Sequence, residues 1–142
     1  MTTPLVGVVV VTHGQLAAEL LNAAEMIAGE LPQFTAVSIG WHDDVEIARE
    51  AIERAIQKVD AGQGVLVLTD MFGGTASNLG LSFLDEGRVE VVTGVNLPIL
   101  IKLAKAPGGQ NIGAIAHEMC EHGRLAIRVA SELLRTDHEP PA

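Results

Sequence analysis

The chain opens with an unbroken apolar, largely β-branched run from Leu5 to Val11 that stops at Thr12-His13-Gly14. Apolar without alternation, it predicts a strand covered on both faces, as in a parallel sheet. From Gln15 to Ala28 the spacing changes: Leu16, Leu20, Ala24 and Ile27 share one helical face, and Gly29 supplies a stop. Thr35 to Ile39 predicts a second strand, ended by Gly40. Asp43 or Asp44 suits the N-cap of the next helix, whose apolar positions Val45, Ala48, Ile52, Ala55, Ile56 and Val59 follow a 3.6-residue period. Glu46, Arg49, Glu50, Glu53, Arg54 and Lys58 fill its outer face, and it ends at Ala61-Gly62.

A third buried strand, Gly64 to Leu68, leads into Thr69-Asp70-Met71-Phe72-Gly73-Gly74-Thr75, with a helix expected from Ala76 to Leu84. Val89 to Val92 predicts a fourth strand running into Thr93-Gly94-Val95-Asn96. Pro98 suits the first turn of a helix over Leu97 to Ala106, which Asn96 can cap. That helix is apolar nearly all round, as in a core or a subunit interface. The order βαβαβαβα is that of an α/β fold: a doubly wound open sheet of four parallel strands with helices on both faces. Beyond it, Ile112 to His122 reads as helix and Gly123 interrupts. Leu125, Ile127 and Val129 then alternate with Arg124, Ala126 and Arg128, a strand pattern against which helical propensity weighs more heavily on the residues alone.

Composition narrows the class. At 142 residues the chain has the size of one domain, assigned to residues 1–135 with a loose tail over 136–142. An apolar fraction of 48% against 19% charged residues excludes a disordered chain. Phe34, Phe72, Phe83 and Trp41 are the four aromatics, so the core must be aliphatic. A net charge of -9 argues against nucleic-acid binding and against direct binding to anionic membranes. Cys120 is the single cysteine, which excludes an intrachain disulfide and a cysteine-based metal site. The start lacks a basic signal-peptide region, and Leu5 to Val11 is far short of the ~18 residues of a membrane helix. A cytoplasmic protein is expected.

In a doubly wound sheet ligands bind at the carboxyl ends of the strands where the winding reverses. With the flavodoxin-like order 2-1-3-4, strands one and three are neighbours there, which brings His13 and Asp70 side by side. A carboxylate that accepts the Nδ1 proton leaves Nε2 with a free lone pair. Such a pair suits a nucleophile, a general base or a metal ligand about equally. The neighbouring loops favour an anion: Gly73-Gly74-Thr75 precedes a helix, Gly14 opens another, and Thr12, Thr75 and Ser77 carry hydroxyls. Phosphate is the natural candidate, and His13 the group that carries a phosphoryl transiently.

Each feature has a plainer reading. Asp70 can be a helix cap and Gly73-Gly74 a turn. Asn96 is a cap first and a site residue second. His42 beside Asp43 and Asp44, and His117, Glu118, Glu121 and His122 along one helix, imitate metal spacing without the HExxH order, so a solvated face is preferred and no metal is expected. Cys120 reads as packed and inert; Met26, Met119 and Trp41 read as core or interface fillers.

Val-Thr-His-Gly at 11–14, Thr-Asp-Met-Phe-Gly-Gly-Thr-Ala-Ser-Asn at 69–78 and Gly-Val-Asn-Leu-Pro at 94–98 lie at the ends of the first, third and fourth strands. With these motifs, in this order, the chain resembles the IIA component of the mannose family of the bacterial phosphoenolpyruvate:sugar phosphotransferase system over residues 5 to 130. The resemblance implies that Nε2 of His13 accepts a phosphoryl group from the phosphocarrier protein HPr and passes it to a IIB component, with Asp70 orienting Nδ1. It implies phosphate contacts from the Gly73, Gly74 and Thr75 loop, joined by Thr12 and Gly14, and no cofactor. It also implies a fifth, antiparallel strand near Leu125 to Val129, exchanged between the subunits of a homodimer, which reverses the helical reading there. Membrane association follows only indirectly, through a transport complex. Ala76 stands where many members have proline. No IIB domain follows Ala142, so the acceptor is expected to be a separate protein. The alternative is a regulatory module in which phosphorylation of His13 controls binding to a partner without sugar transport. A receiver phosphorylated on Asp70 lacks the acidic pair that holds Mg²⁺ at the end of strand one. A hydrolase lacks a nucleophile on a strand-end elbow.

Overall fold

The computed structural model describes residues 5–40 and 43–135. Four strands, β1 (Gly7–His13), β2 (Phe34–Ile39), β3 (Val65–Thr69) and β4 (Val89–Thr93), form one parallel sheet in the order β2-β1-β3-β4. The linking helices are α1 (Leu16–Ala28), α2 (Val45–Val59) and α3 (Gly74–Leu81). After β4 come α4 (Leu97–Ala104), α5 (Ile112–Leu125) and the single turn α6 (Ala130–Leu133).

Alternating residues along each strand divide the core in two. Val8, Val10, Leu66, Leu68 and Val92 pack with buried residues of α1, α4 and α5 on one face. Val9, Val11, Val37, Ile39, Val65 and Val67 pack with those of α2 and α3 on the other. Val8 through Val11 are wholly inaccessible, which is why the run shows no alternation: both faces of a central parallel strand must be apolar. As α1 lies on one face and α3 on the other, the winding reverses between β1 and β3.

Helix ends follow their capping chemistry. Asp44 is the N-cap of α2, accepting the Glu46 and Ile47 N–H groups, whereas Asp43 accepts the Gly40 N–H at 2.6 Å. Asn96 accepts the Ile99 N–H to cap α4, as expected, and its Nδ2 also donates to the Gly123 carbonyl. Helix α3 starts at Gly74, two residues earlier than the sequence suggests, and stops at Leu81, while α4 stops at Ala104. Of the predicted fillers, Met119 is buried, but Met26 projects into solvent. Trp41, His42 and the tail over 136–142 lie outside the described residues.

The C-terminal stretch differs from the expected strand. Gly123 does not interrupt α5; a side chain there would stand 2.7 Å from Ile99 Cδ1, so the glycine lets α5 close onto α4. The helix continues to Leu125, and residues 127–129 pair with no strand inside the subunit before α6 begins. A strand requires a ladder partner, and none among the described residues of the chain pairs with this segment. No helix among the described residues is long and apolar enough to cross a membrane.

A second glycine sets the spacing of helix and sheet. A Cβ on Gly7 would lie 2.5 Å from the Val59 carbonyl oxygen at the end of α2. Backbone cannot yield as a flexible side chain does, so Gly7→Ala should cost about 1–3 kcal/mol of stability, read as a lower urea midpoint with an unchanged m-value.

Candidate functional site

Strands β1 and β3 pair with Val11 opposite Thr69, so His13 at the end of β1 and Asp70 just past β3 meet at the same edge of the sheet. One carboxylate oxygen, Oδ2 of Asp70, takes two hydrogen bonds from His13: the backbone N–H donates at 3.0 Å and ring Nδ1 at 2.8 Å. The other oxygen accepts the Met71 N–H at 3.0 Å. A carboxylate only accepts, so Nδ1 carries the proton and the lone pair of the neutral ring resides on Nε2. The Asp70 side chain is 13% exposed and that of His13 47%, which makes the carboxylate a shielded support and the imidazole an accessible group.

Burial acts to raise the Asp70 carboxyl. The hydrogen bonds from the His13 ring and backbone N–H, with the charge of the imidazole, outweigh it and hold the group below its ordinary value of 3.8. The carboxylate therefore remains ionised opposite the ring throughout the neutral range.

Nε2 faces an open cavity of about 420 Å³ lined by His13, Gly14, Ile39, Gly40, Gly74 and Thr75. The first turn of α3 forms one wall. Its N-cap, Gly73, gives no side-chain hydrogen bond, so the positive end of the helix meets the cavity uncapped. Gly74 lies against the ring: a Cβ built there would stand 3.2 Å from both Cε1 and Nε2, at a backbone φ of +85° that disfavours side chains. Glycine at this position therefore keeps free the space in front of the nitrogen. Thr75 is exposed on the cavity wall.

Not every expected phosphate contact is available. Thr12 is wholly buried, and its hydroxyl accepts the Ala17 N–H at 2.7 Å while donating to the His13 carbonyl at 3.2 Å. It is therefore withdrawn from the anion-binding set. The Gly14 N–H donates to the Ile39 carbonyl at 2.8 Å, so Gly14 lines the cavity without offering a free donor. Ser77 is buried, with no partner for its hydroxyl among the described residues, and does not reach the cavity. Ile39 and Gly40 do line it, although the sequence did not single them out. Their signal was positional, since β2 pairs with β1 and His13 lies opposite Ile39. Cys120, His117 and Asn96 border a separate groove beside β4. No group of three or more His, Cys, Asp or Glu that could hold a metal ion is found among the described residues.

Because its folded-state pKa is depressed, Asp70 adds stability at pH values above 3.8 that is lost as pH falls through the lowered folded value. The stability difference between the wild type and Asp70→Asn should hold constant above about pH 5 and shrink below it. Urea unfolding at neutral and acid pH measures this; a difference independent of pH would show that the carboxylate gains nothing from its His13 bonds.

Known proteins resemble this chain in sequence and in fold. A family model described as the phosphotransferase-system fructose IIA component, EIIA-man, matches residues 7–120. The mannose-specific EIIAB component of Escherichia coli is 34% identical over 133 residues, 87% of this chain; the chain spans only 40% of that protein's length. The fructose-specific EIIA component of Bacillus subtilis is 32% identical over 131 residues, covering 92% of this chain and 90% of that protein. Among solved structures, the IIA protein associated with the fucose utilization operon of Streptococcus pneumoniae superposes with a TM-score of 0.80 at 27% identity, covering 95% of this chain and all of that one. The mannose/sorbose-specific IIA subunit of Enterococcus faecalis gives 0.77 at 27% identity, covering 91% and 95% of the two chains. With a family match spanning most of the sheet and the His13–Asp70 edge, the chain belongs to the mannose-type IIA family of the phosphoenolpyruvate:sugar phosphotransferase system.

Proposed function

We propose that the protein is a phosphoryl carrier that receives a phosphoryl group from phospho-HPr on Nε2 of His13 and passes it to a IIB component. The observation that carries this reading is the single Asp70 oxygen that engages both the backbone and Nδ1 of His13, leaving Nε2 directed at an open cavity beside the uncapped start of α3. In the transfer, the Nε2 lone pair forms the new N–P bond as the donor's bond to phosphorus breaks, and the electron pair leaves with the donor. The positive charge that grows on the ring is stabilised by the ionised Asp70. The first turn of α3, from Gly74 and Thr75, supplies donors for the phosphoryl oxygens. Onward transfer is the same displacement in reverse, with the acceptor as nucleophile. This chemistry requires alignment and charge stabilisation and no cofactor.

A cytoplasmic location fits this role, since both proposed partners exchange phosphoryl groups by direct collision. So does a single functional unit over residues 1–135. A homodimer is part of the reading. Among the described residues the outer edge of β4 pairs with no further strand beyond a single bridge of Asp85 to Val89, a groove of about 530 Å³ lies beside it, and Leu125, Ile127 and Val129 are exposed apolar residues at alternating positions. Exchange of that segment between two copies would complete the β4 edge and bury them.

The direct test is intact mass after incubation with phosphoenolpyruvate, enzyme I and HPr. One acid-labile, alkali-stable phosphoryl adduct is expected, absent from His13→Ala. Asp70→Ala should slow its formation by roughly 10²-fold. An adduct that persists in His13→Ala, or one cleaved by hydroxylamine, would overturn the assignment. Sedimentation should give a dimer that Ile127→Asp converts to monomer; a monomeric wild type would refute the exchange.

A further inference from the structure

We infer that Thr12, which the geometry removes from the anion site, is a positioning residue that holds His13 in its reactive orientation. The inference rests on the phosphoryl-carrier reading of His13. Its physical content, however, is a constraint on the imidazole that exists before any phosphoryl group arrives.

The turn from β1 into α1 has no side-chain cap of its own. Gln15 is the N-cap of α1 and its side chain contributes no hydrogen bond. The buried Ala17 N–H, an orphan donor of the first turn, is instead satisfied by the Thr12 hydroxyl from the last part of β1, at 2.7 Å. The same hydroxyl donates to the His13 carbonyl. One oxygen atom therefore ties together three things: the strand end, the peptide that follows His13, and the start of the helix. With Thr12 and Ala17 both wholly inaccessible, water cannot replace the bond to the Ala17 N–H.

His13 is consequently gripped from two sides. On its amino side and at Nδ1, Asp70 just past β3 accepts both hydrogens. On its carbonyl side, Thr12 holds the peptide plane. Gly14, at φ +57°, then turns the chain while its N–H is fixed to the Ile39 carbonyl. The direction of Nε2 depends on the backbone as well as on the side-chain torsions. If the carbonyl side is freed, the peptide after His13 can rotate, and both bonds to Asp70 lengthen together. The Nδ1 proton is then no longer reserved for Asp70, and the lone pair is no longer reserved for the cavity. Serine retains the hydroxyl and so the restraint. Valine matches threonine in shape but has neither donor nor acceptor.

The experiment compares full-length wild type, Thr12→Val and Thr12→Ser in two measurements. The first is the rate of His13 phosphorylation across phospho-HPr concentrations. Thr12→Val should lower kcat by about tenfold, with KM within about twofold of wild type, because alignment is lost while the docking surface is intact. Thr12→Ser should restore kcat to within about threefold of wild type. The second is the nitrogen NMR spectrum of the His13 ring in the unphosphorylated protein, where Thr12→Val should show a smaller Nδ1–H tautomer population than wild type and Thr12→Ser should not. A Val variant with wild-type kcat and tautomer balance overturns the inference. So does a Ser variant as impaired as the Val variant, which would assign the effect to packing of the methyl group. Should the Val protein not fold, Thr12→Cys takes its place, since a thiol fills a similar volume with weak hydrogen bonding. If wild type accepts no phosphoryl group, the carrier reading fails, and the tautomer comparison still decides the role of Thr12.

Discussion

The register between β1 and β3 is the constraint from which the site follows. Pairing Val11 with Thr69 ends both strands at the same edge and leaves Asp70 directly beside His13. A slip of one residue would turn Val9 and Val11 out of one core layer and Val8 and Val10 out of the other. Because both layers are filled by strand residues of zero exposure, such a slip is excluded by packing. The His13–Asp70 pair is therefore aligned by the apolar core, whose Ile39 also lines the cavity.

Three neighbours give the imidazole its character in different ways. Asp70 sets which nitrogen carries the proton, and its own ionisation is secured by the hydrogen bonds that it accepts. Gly74 provides room in front of Nε2, since even a methyl group would stand in contact with the ring. The start of α3 offers uncapped N–H groups, in contrast to α2, α4 and α5, whose N-caps are Asp44, Asn96 and Asn111 with bonded side chains. Had residue 73 been one of these, its side chain would have occupied the donors that an anion needs. With glycine at this N-cap, no side chain bonds the first N–H groups of α3.

The two halves of the sheet have different tasks. On the β1–β3 side, loops are held by long-range hydrogen bonds such as Gly14 to Ile39 and His13 to Asp70. On the β4 side, the chain closes α4 against α5 through Gly123 and Asn96 and leaves the β4 edge and an apolar C-terminal segment exposed. The His13–Asp70 pair and the β4 edge thus lie on opposite sides of β3.

Much of this was legible in the chain alone. The four apolar runs, the αβ alternation and the capping aspartate and asparagine determine the elements, because local propensity and core burial agree along most of the length. His13 and Asp70 were legible as well, since polar residues at the ends of buried strands have few structural uses. What could not be read was the allocation of individual hydrogen bonds. Thr12 and Thr75 are both hydroxyl residues beside the site motif, and only the path of the chain buries one against Ala17 and exposes the other to the cavity. Gly14 carries an N–H as Gly74 does, yet the nearness of Ile39 consumes it. Gly123 looks like a helix breaker until Ile99 lies against it. Ile39 and Gly40 become cavity walls only because β2 pairs with β1. Sequence determines which groups are present and which segments must be buried; the tertiary structure decides which donors and acceptors remain unspent, because that depends on neighbours distant in the chain.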